Sequence, residues 1–247
     1  MVTEQSDMLA VEGLVNLRDL GGLPTDGGAL TRSGRLLRSE SPHDLSDSGL
    51  RALLDLGVRT VVDLRTVSER EQRPSRLVGA GNVRDHHAPI FNDGDDFPRH
   101  LATAADVYCW WLRERGTGVA GALTAIADAE SAPVLVHCHA GKDRTGVIIA
   151  LVLRLSGVTV DAIADDYARS GVQLADMLAR DRVSAVEAGM DDVRVQRLFT
   201  VHREAMVETL DSIDAEHGGV APLLRRIGLD DGRIDSLARL MLAPDWP

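Results

Sequence analysis

At 247 residues, with 44% hydrophobic and 26% charged side chains and a net charge of −11, the chain has the composition of an ordinary globular protein with an acidic surface. That surface offers no basic stripe to neutralise a phosphate backbone, which excludes nucleic acid as a general partner, and no run approaches the ~20 apolar residues of a membrane span. Two cysteines, Cys109 and Cys138, are too few for a disulfide scaffold, and MVTEQSDMLAVEG lacks the basic-then-apolar pattern of a signal peptide, so a reducing cytoplasm with a free Cys138 is expected.

Residues 1–12 read as a polar, flexible lead-in with little to pack. Leu14–Leu20 and Leu36–Arg38 are short extended segments separated by the turn-rich Gly21–Gly28. Ser46 is placed to cap a helix through Leu56 that presents Leu50, Leu53, Leu54 and Leu56 on one face and stops at Gly57. The β-branched run Val58–Leu64 predicts a buried strand. The charged stretch Arg65–Gly81, with Pro74, predicts a loop or a short polar helix whose Arg65, Glu69, Arg70 and Glu71 pair on a wet surface.

Val83–Ile90 predicts a further strand, followed by an Asp- and Gly-rich loop over Phe91–Pro98. Leu101–Arg115 and Val119–Glu130 are expected as helices divided by Gly116-Thr117-Gly118, with Cys109 in the core beside Trp110 and Trp111. Pro133 opens a short apolar strand, Val134–Val136, and the continuous apolar run Gly146–Leu155 predicts a central buried helix. From Thr159 onward the pattern is helical, punctuated at Gly171, Gly189, Gly218-Gly219 and Gly228. Strands alternating with helices and then helices alone predict an α/β fold: a mainly parallel central sheet flanked by helices, with a C-terminal helical subdomain. We expect one domain over residues 13–247, its core over 13–157 and its helical extension over 158–247.

The string His137-Cys138-His139-Ala140-Gly141-Lys142-Asp143-Arg144-Thr145-Gly146 lies between that apolar strand and that apolar helix. A tight glycine turn there aims successive backbone N–H groups into one concavity, and the helix N-terminus adds its positive end, which together suit a phosphoryl group. The same field favours the thiolate of Cys138, the nucleophilic form of a cysteine. Arg144, six residues on, can grip two phosphoryl oxygens with its planar fork. His139, Ala140, Gly141 and Lys142 supply the rest of the phosphate cradle. Thr145 offers a hydroxyl to the sulfur, and His137 can hold the loop backbone in shape. Lys142 is the sole lysine in the chain and adds charge toward a polyanionic substrate. A nucleotide-binding loop fails on spacing, because Val136 and Asp143 stand where Gly and Ser/Thr are required. A metal site fails because adjacent residues at a strand end point opposite ways, so neither metal nor other cofactor is expected.

At these residues the chain resembles the bacterial tyrosine/serine phosphatases, cysteine-based enzymes whose loop reads HC-x-x-GKDR-[TA]-G. The resemblance extends to Asn16-Leu17-Arg18-Asp19-Leu20-Gly21-Gly22, to Arg35-Leu36-Leu37-Arg38-Ser39 and to Val61-Val62-Asp63-Leu64-Arg65, in the family's order over about residues 13–170. It implies the cysteine-phosphatase fold and hydrolysis through a phosphocysteine. It also implies a phosphorylated protein, phosphotyrosine first, or a phospholipid headgroup as substrate. The alternative from another class is a phosphate-binding module without catalysis. The resemblance places an important aspartate at Asp143, the first choice for the general acid, whose other reading is a loop acceptor paired to Arg144 or backbone. Asp63, ending a strand expected beside the loop strand, is a second choice, either as acid or as the group orienting Arg144. Asp93, Asp95 and Asp96 form a third set, on a segment able to close over substrate. Asn16, Arg18 and Asp19 are expected to tie a strand to neighbouring backbone.

Overall fold

The computed structural model describes residues 8–95, 98, 100–130 and 132–242. Its short apolar runs form a five-stranded sheet: β1 (Arg18–Asp19), β2 (Leu36–Ser39), β3 (Thr60–Asp63), β4 (Arg84–His87) and β5 (Val134–His137), in the order β1-β2-β5-β3-β4. β1 is antiparallel to β2 and the other pairings are parallel. β5 is central, with His137 facing Ser39 of β2 on one side and Asp63 of β3 on the other. The carboxyl ends of three strands therefore converge where the Cys138 loop begins, the place where open parallel sheets bind ligands.

Side chains alternate across the pleat and divide the core in two. Leu36, Val62, Val134 and Val136 belong to the larger cluster, whereas Leu37, Val61 and Leu135 belong to a smaller one with Leu17, Leu45 and Leu53. Burial on both faces explains why β2, β3 and β5 read as unbroken apolar runs.

The helices are α1 (Asp47–Asp55), α2 (Val67–Gln72), α3 (Ala104–Glu114), α4 (Gly116–Ala127), α5 (Asp143–Leu155), α6 (Val160–Gln173), α7 (Ala175–Glu187), α8 (Asp192–Phe199), α9 (Arg203–His217), α10 (Val220–Arg226) and α11 (Asp231–Leu240). α5 is buried continuously from Thr145 to Leu153. Each of its large aliphatic side chains contributes about 1.5–3 kcal/mol on burial, which makes it the axle of the larger core. The C-terminal helices pack back on it: α9 lies against α3 and α6, and α11 against α4 and α5.

Several local expectations are met. Ser46 Oγ accepts from the Gly49 amide at 3.0 Å to start α1. That helix fully buries Leu53, half-buries Leu50 and Leu54, and leaves Leu56 exposed at its C-cap. Among the described residues no helix is long and apolar enough to cross a membrane.

Others shift. The extended segment Leu14–Leu20 pairs as a strand only over Arg18–Asp19. Residues 8–12 are not a loose lead-in, because Met8 bridges to Arg18 and Val11 is buried in the smaller core. Gly116-Thr117-Gly118 does not separate two helices: α4 starts at Gly116, and the break falls at Arg115. A Cβ on Gly118 would lie 2.5 Å from the Ile90 carbonyl oxygen, so this glycine permits a close approach inside a helix.

Candidate active site

The loop between β5 and α5 is shaped by donors that pull its carbonyls outward. Ser41 N donates to His139 O at 2.9 Å, and Asn16 Nδ2 to Ala140 O at 3.1 Å. Arg38 Nη2 donates to Gly141 O at 2.7 Å, Gly146 N to Lys142 O at 2.7 Å, and His137 Nδ1 contacts Cys138 O at 3.2 Å. In a trans peptide the C=O and the next N–H point opposite ways. Five carbonyls turned out therefore leave the amides of residues 139–143 turned the other way, the kind of backbone arrangement that suits an anion. Gly141 makes the turn possible: its φ is +68°, and a Cβ there would sit 2.1 Å from Ser39 O.

Behind the loop lies a buried polar hub that the sequence did not reveal. Asp166 of α6 accepts Arg18 Nε at 2.6 Å and Arg38 Nη1 at 2.5 Å, with all three side chains almost fully buried. Arg18 Nη1 in turn donates to Asn16 Oδ1 at 2.6 Å. Burial opposes the charge on Asp166, but the two arginines outweigh it and hold its pKa down at about 2. Arg18 is pushed down to about 10 by burial and by Arg38, against the pull of Asp166. Asn16 thus ties the N-terminal segment to the loop backbone, donating to Ala140 O and Gly141 O, while Arg18 holds Asn16 and Asp166 behind it. A signal for Asp166 was present: it lies on the buried face of α6, one turn before the buried Ser170.

Arg144 is locked in place by Glu69. Its Nη1 and Nη2 donate to the two carboxylate oxygens at 2.5 and 2.7 Å, a fork-to-fork pair, and its guanidinium lies 5.1 Å from the Phe91 ring centroid. Burial disfavours the Arg144 charge, yet the Glu69 bonds and the nearby Cys138 push its pKa above the ordinary arginine range. Glu69 is fixed by a capping box, accepting from Thr66 N at 2.8 Å. The expectation that Glu69 pairs on a wet surface is therefore corrected. Thr66-x-x-Glu69 was the sequence signal, but a capping box accounts for that spacing without any link to Arg144.

Asp63 does not orient Arg144. Its carboxylate, fully buried, takes Arg65 Nε at 3.0 Å and Arg65 Nη2 at 2.8 Å. Burial raises its pKa, but His137 and Arg65 outweigh that and leave it below the ordinary carboxylate range. His137 is also fully buried, with Nε2 3.8 Å from Asp63. Burial pushes its pKa down, favouring the neutral ring, and a carbonyl partner at Nδ1 requires the proton there.

Lys142 departs from its expected role. Its buried ammonium donates to Leu198 O at 2.7 Å and Thr200 O at 3.3 Å, at the C-terminal end of α8, and lies 3.3 Å from Asp143. It is thus committed to the protein and not directed at a substrate. Thr145 Oγ1 is buried without a hydrogen-bond partner, so it makes no bond to the Cys138 sulfur. His139 is half-buried, and burial pushes its pKa down against the pull of Glu69. Of the three loop aspartates, Asp93 accepts from Ser68 N at 2.9 Å, Asp95 from Asn92 N at 2.9 Å, and Asp96 lies outside the described residues. Asp143, at the start of α5, borders a cavity of about 130 Å³ whose other walls include Phe91, Tyr108, Trp111, Arg144 and Leu198. Three larger clefts of 620–780 Å³ are lined by neither Asp143 nor Arg144.

Residues 9–243 match the tyrosine phosphatase family. The chain belongs to that family. It is 28% identical to the triple specificity protein phosphatase PtpB of Mycobacterium tuberculosis, over 93% of this chain and 97% of that protein. A putative tyrosine-protein phosphatase of Cupriavidus necator is 30% identical over 88% of this chain and 82% of its own. A tyrosine-protein phosphatase of Nostoc commune is 31% identical over 78% and 69%. The protein is a tyrosine phosphatase, with the mixed α/β sheet expected from its sequence.

Proposed function

We propose that this tyrosine phosphatase hydrolyses its substrates through a phosphocysteine at Cys138, with Asp143 as acid and then base. The observation that supports this most strongly is the pairing of Arg144 with Glu69 beside a loop whose five carbonyls all face away. Such a site presents fixed donors before substrate arrives, so it stabilises charge without reorganising. In the first step the Cys138 thiolate forms the S–P bond, the ester P–O bond breaks, and Asp143 delivers its proton to the leaving oxygen. In the second, Asp143 takes a proton from water as the new O–P bond forms, and the cysteine leaves as thiolate. Loop amides and Arg144 hold the equatorial oxygens throughout.

Asp143 is favoured over Asp63 because it borders the same cavity as Arg144, whereas Asp63 is sealed by Arg65. The aromatic walls of that cavity favour phosphotyrosine as the substrate. A phosphoinositide reading that relies on Lys142 for a second phosphate loses its support, since that ammonium already holds two carbonyls. In this reading residues 13–247 work as one domain, in a reducing cytoplasm that keeps Cys138 as a free thiol. The test is p-nitrophenyl phosphate turnover between about pH 5 and 7. Wild type is expected to release nitrophenol and Cys138→Ser to release none; a Cys138→Ser variant that keeps the wild-type rate overturns the mechanism.

A further inference from the structure

Asp143 has a partner that the mechanism above does not use. The Tyr108 hydroxyl, from α3, is hydrogen-bonded to Asp143 Oδ1, and on its other side meets the Tyr167 hydroxyl of α6 at 2.7 Å. Both tyrosines are only 1% exposed, and their rings meet edge to face with centroids 6.1 Å apart. A phenol buried this deeply needs a polar partner, and the partner of this pair is the carboxyl of the phosphate loop.

The direction of the bonds follows from elementary hydrogen-bond chemistry. An ionised carboxylate can only accept, so Tyr108 donates to Asp143 and its oxygen is free to accept from Tyr167. Burial, and then the Asp143 charge, push both phenol pKa values above their ordinary range. The pair therefore keeps its protons throughout the range in which such an enzyme works. Asp143 Oδ2 lies 3.3 Å from Lys142 Nζ. Its carboxylate is thus held between a phenol and an ammonium, and among the described residues it hydrogen-bonds to neither Arg144 nor a backbone amide.

We infer that Tyr108, backed by Tyr167, is the positioning residue for Asp143, holding one carboxylate oxygen so that the group stays at the cavity wall beside Arg144. The inference rests on the acid–base reading of Asp143 given above. With that donor removed, Asp143 Oδ1 loses the contact that fixes the carboxyl against the cavity wall, and the group is free to rotate away from Arg144.

The experiment measures kcat and KM on p-nitrophenyl phosphate for wild type, Tyr108→Phe, Tyr167→Phe, Asp143→Asn and the double variants that combine each tyrosine change with Asp143→Asn. Tyr108→Phe is expected to lower kcat at least about tenfold, the effect of one hydrogen bond to a charged group, with KM within about twofold. Tyr167→Phe, one hydrogen bond further from the carboxyl, should lower kcat by less. In the Asp143→Asn background neither tyrosine change should alter kcat further, because each acts through that one group. A Tyr108→Phe effect that adds fully to Asp143→Asn, or a Tyr108→Phe variant with wild-type kcat, overturns the positioning role alone. An Asp143→Asn variant with wild-type kcat overturns the acid–base reading and the positioning role with it. If Tyr108→Phe does not fold, the cycle of Tyr167→Phe with Asp143→Asn decides the same question.

Discussion

Replacing Asp166 by Asn keeps the shape of the hub behind the phosphate loop and removes its only negative charge. The carboxylate accepts from Arg18 and Arg38 at 2.6 and 2.5 Å, in a site with almost no solvent. An amide can accept from one arginine but turns an N–H toward the other, leaving a buried cation unpaired. Holding the Asp166 pKa at about 2 against an ordinary 3.8 corresponds to about 2.5 kcal/mol. Orphaning a buried charge costs more, about 3–5 kcal/mol. For a chain of this size that is a fall in Tm of about 6–20 °C at neutral pH, readable by circular dichroism. The pH dependence has a fixed sign. A depressed pKa gives stabilisation that is complete above the unfolded value of 3.8 and is lost as pH falls through about 2. The gap between wild type and Asp166→Asn should therefore close over that window. Because Arg38 also donates to Gly141 O, kcat/KM should fall with stability. A variant that melts within about 1 °C of wild type at pH 7 would show that the hub carries no weight.

Three further perturbations separate loop shape, arginine orientation and helix docking. Glu69→Gln keeps the side-chain volume but breaks the fork-to-fork pair with Arg144, and should lower kcat/KM about 10–100-fold; unchanged kcat/KM would mean that Arg144 needs no partner. Gly141→Ala puts a Cβ 2.1 Å from Ser39 O at a φ of +68°, and steady-state assays should show a loss of at least about 100-fold in kcat/KM. Lys142→Met should speed amide hydrogen exchange over residues 192–200, whose C-terminal carbonyls it holds, while leaving the ratio of kcat/KM on phosphotyrosine and phosphoinositide substrates within about twofold. A collapse of that ratio would restore Lys142 as a substrate contact.

What the sequence made legible is what is local. The β-branched runs over Val58–Leu64 and Val134–Val136 hold β3 and β5, Ser46 caps α1, and the loop string lies between a buried strand and a buried helix, as its flanks predict. The supports of that cradle were hidden because each joins positions far apart in the chain. Glu69 meets Arg144 across 75 residues, Arg18 meets Asp166 across 148, and Tyr108 meets Tyr167 across 59. Such pairs are set by strand order and helix packing, which period and propensity do not encode. Lys142 departs from its expected role for a related reason. A lone lysine in a phosphate loop suggests a ligand, and the α8 carbonyls that take it up lie 56 and 58 residues away. Cys109, expected in the core, is only half-buried, at a small gap between α3 and α9 lined by Ser212, Ile213 and Glu216.

The central claim is that phosphate passes through Cys138, and the direct measurement is rapid acid quench of wild type during turnover followed by mass analysis of peptides spanning residues 134–154. A phosphate adduct on Cys138 that forms and decays at the turnover rate, and is missing from Cys138→Ser, is the predicted result. Turnover with no adduct on Cys138, or an adduct carried by His139, would contradict it.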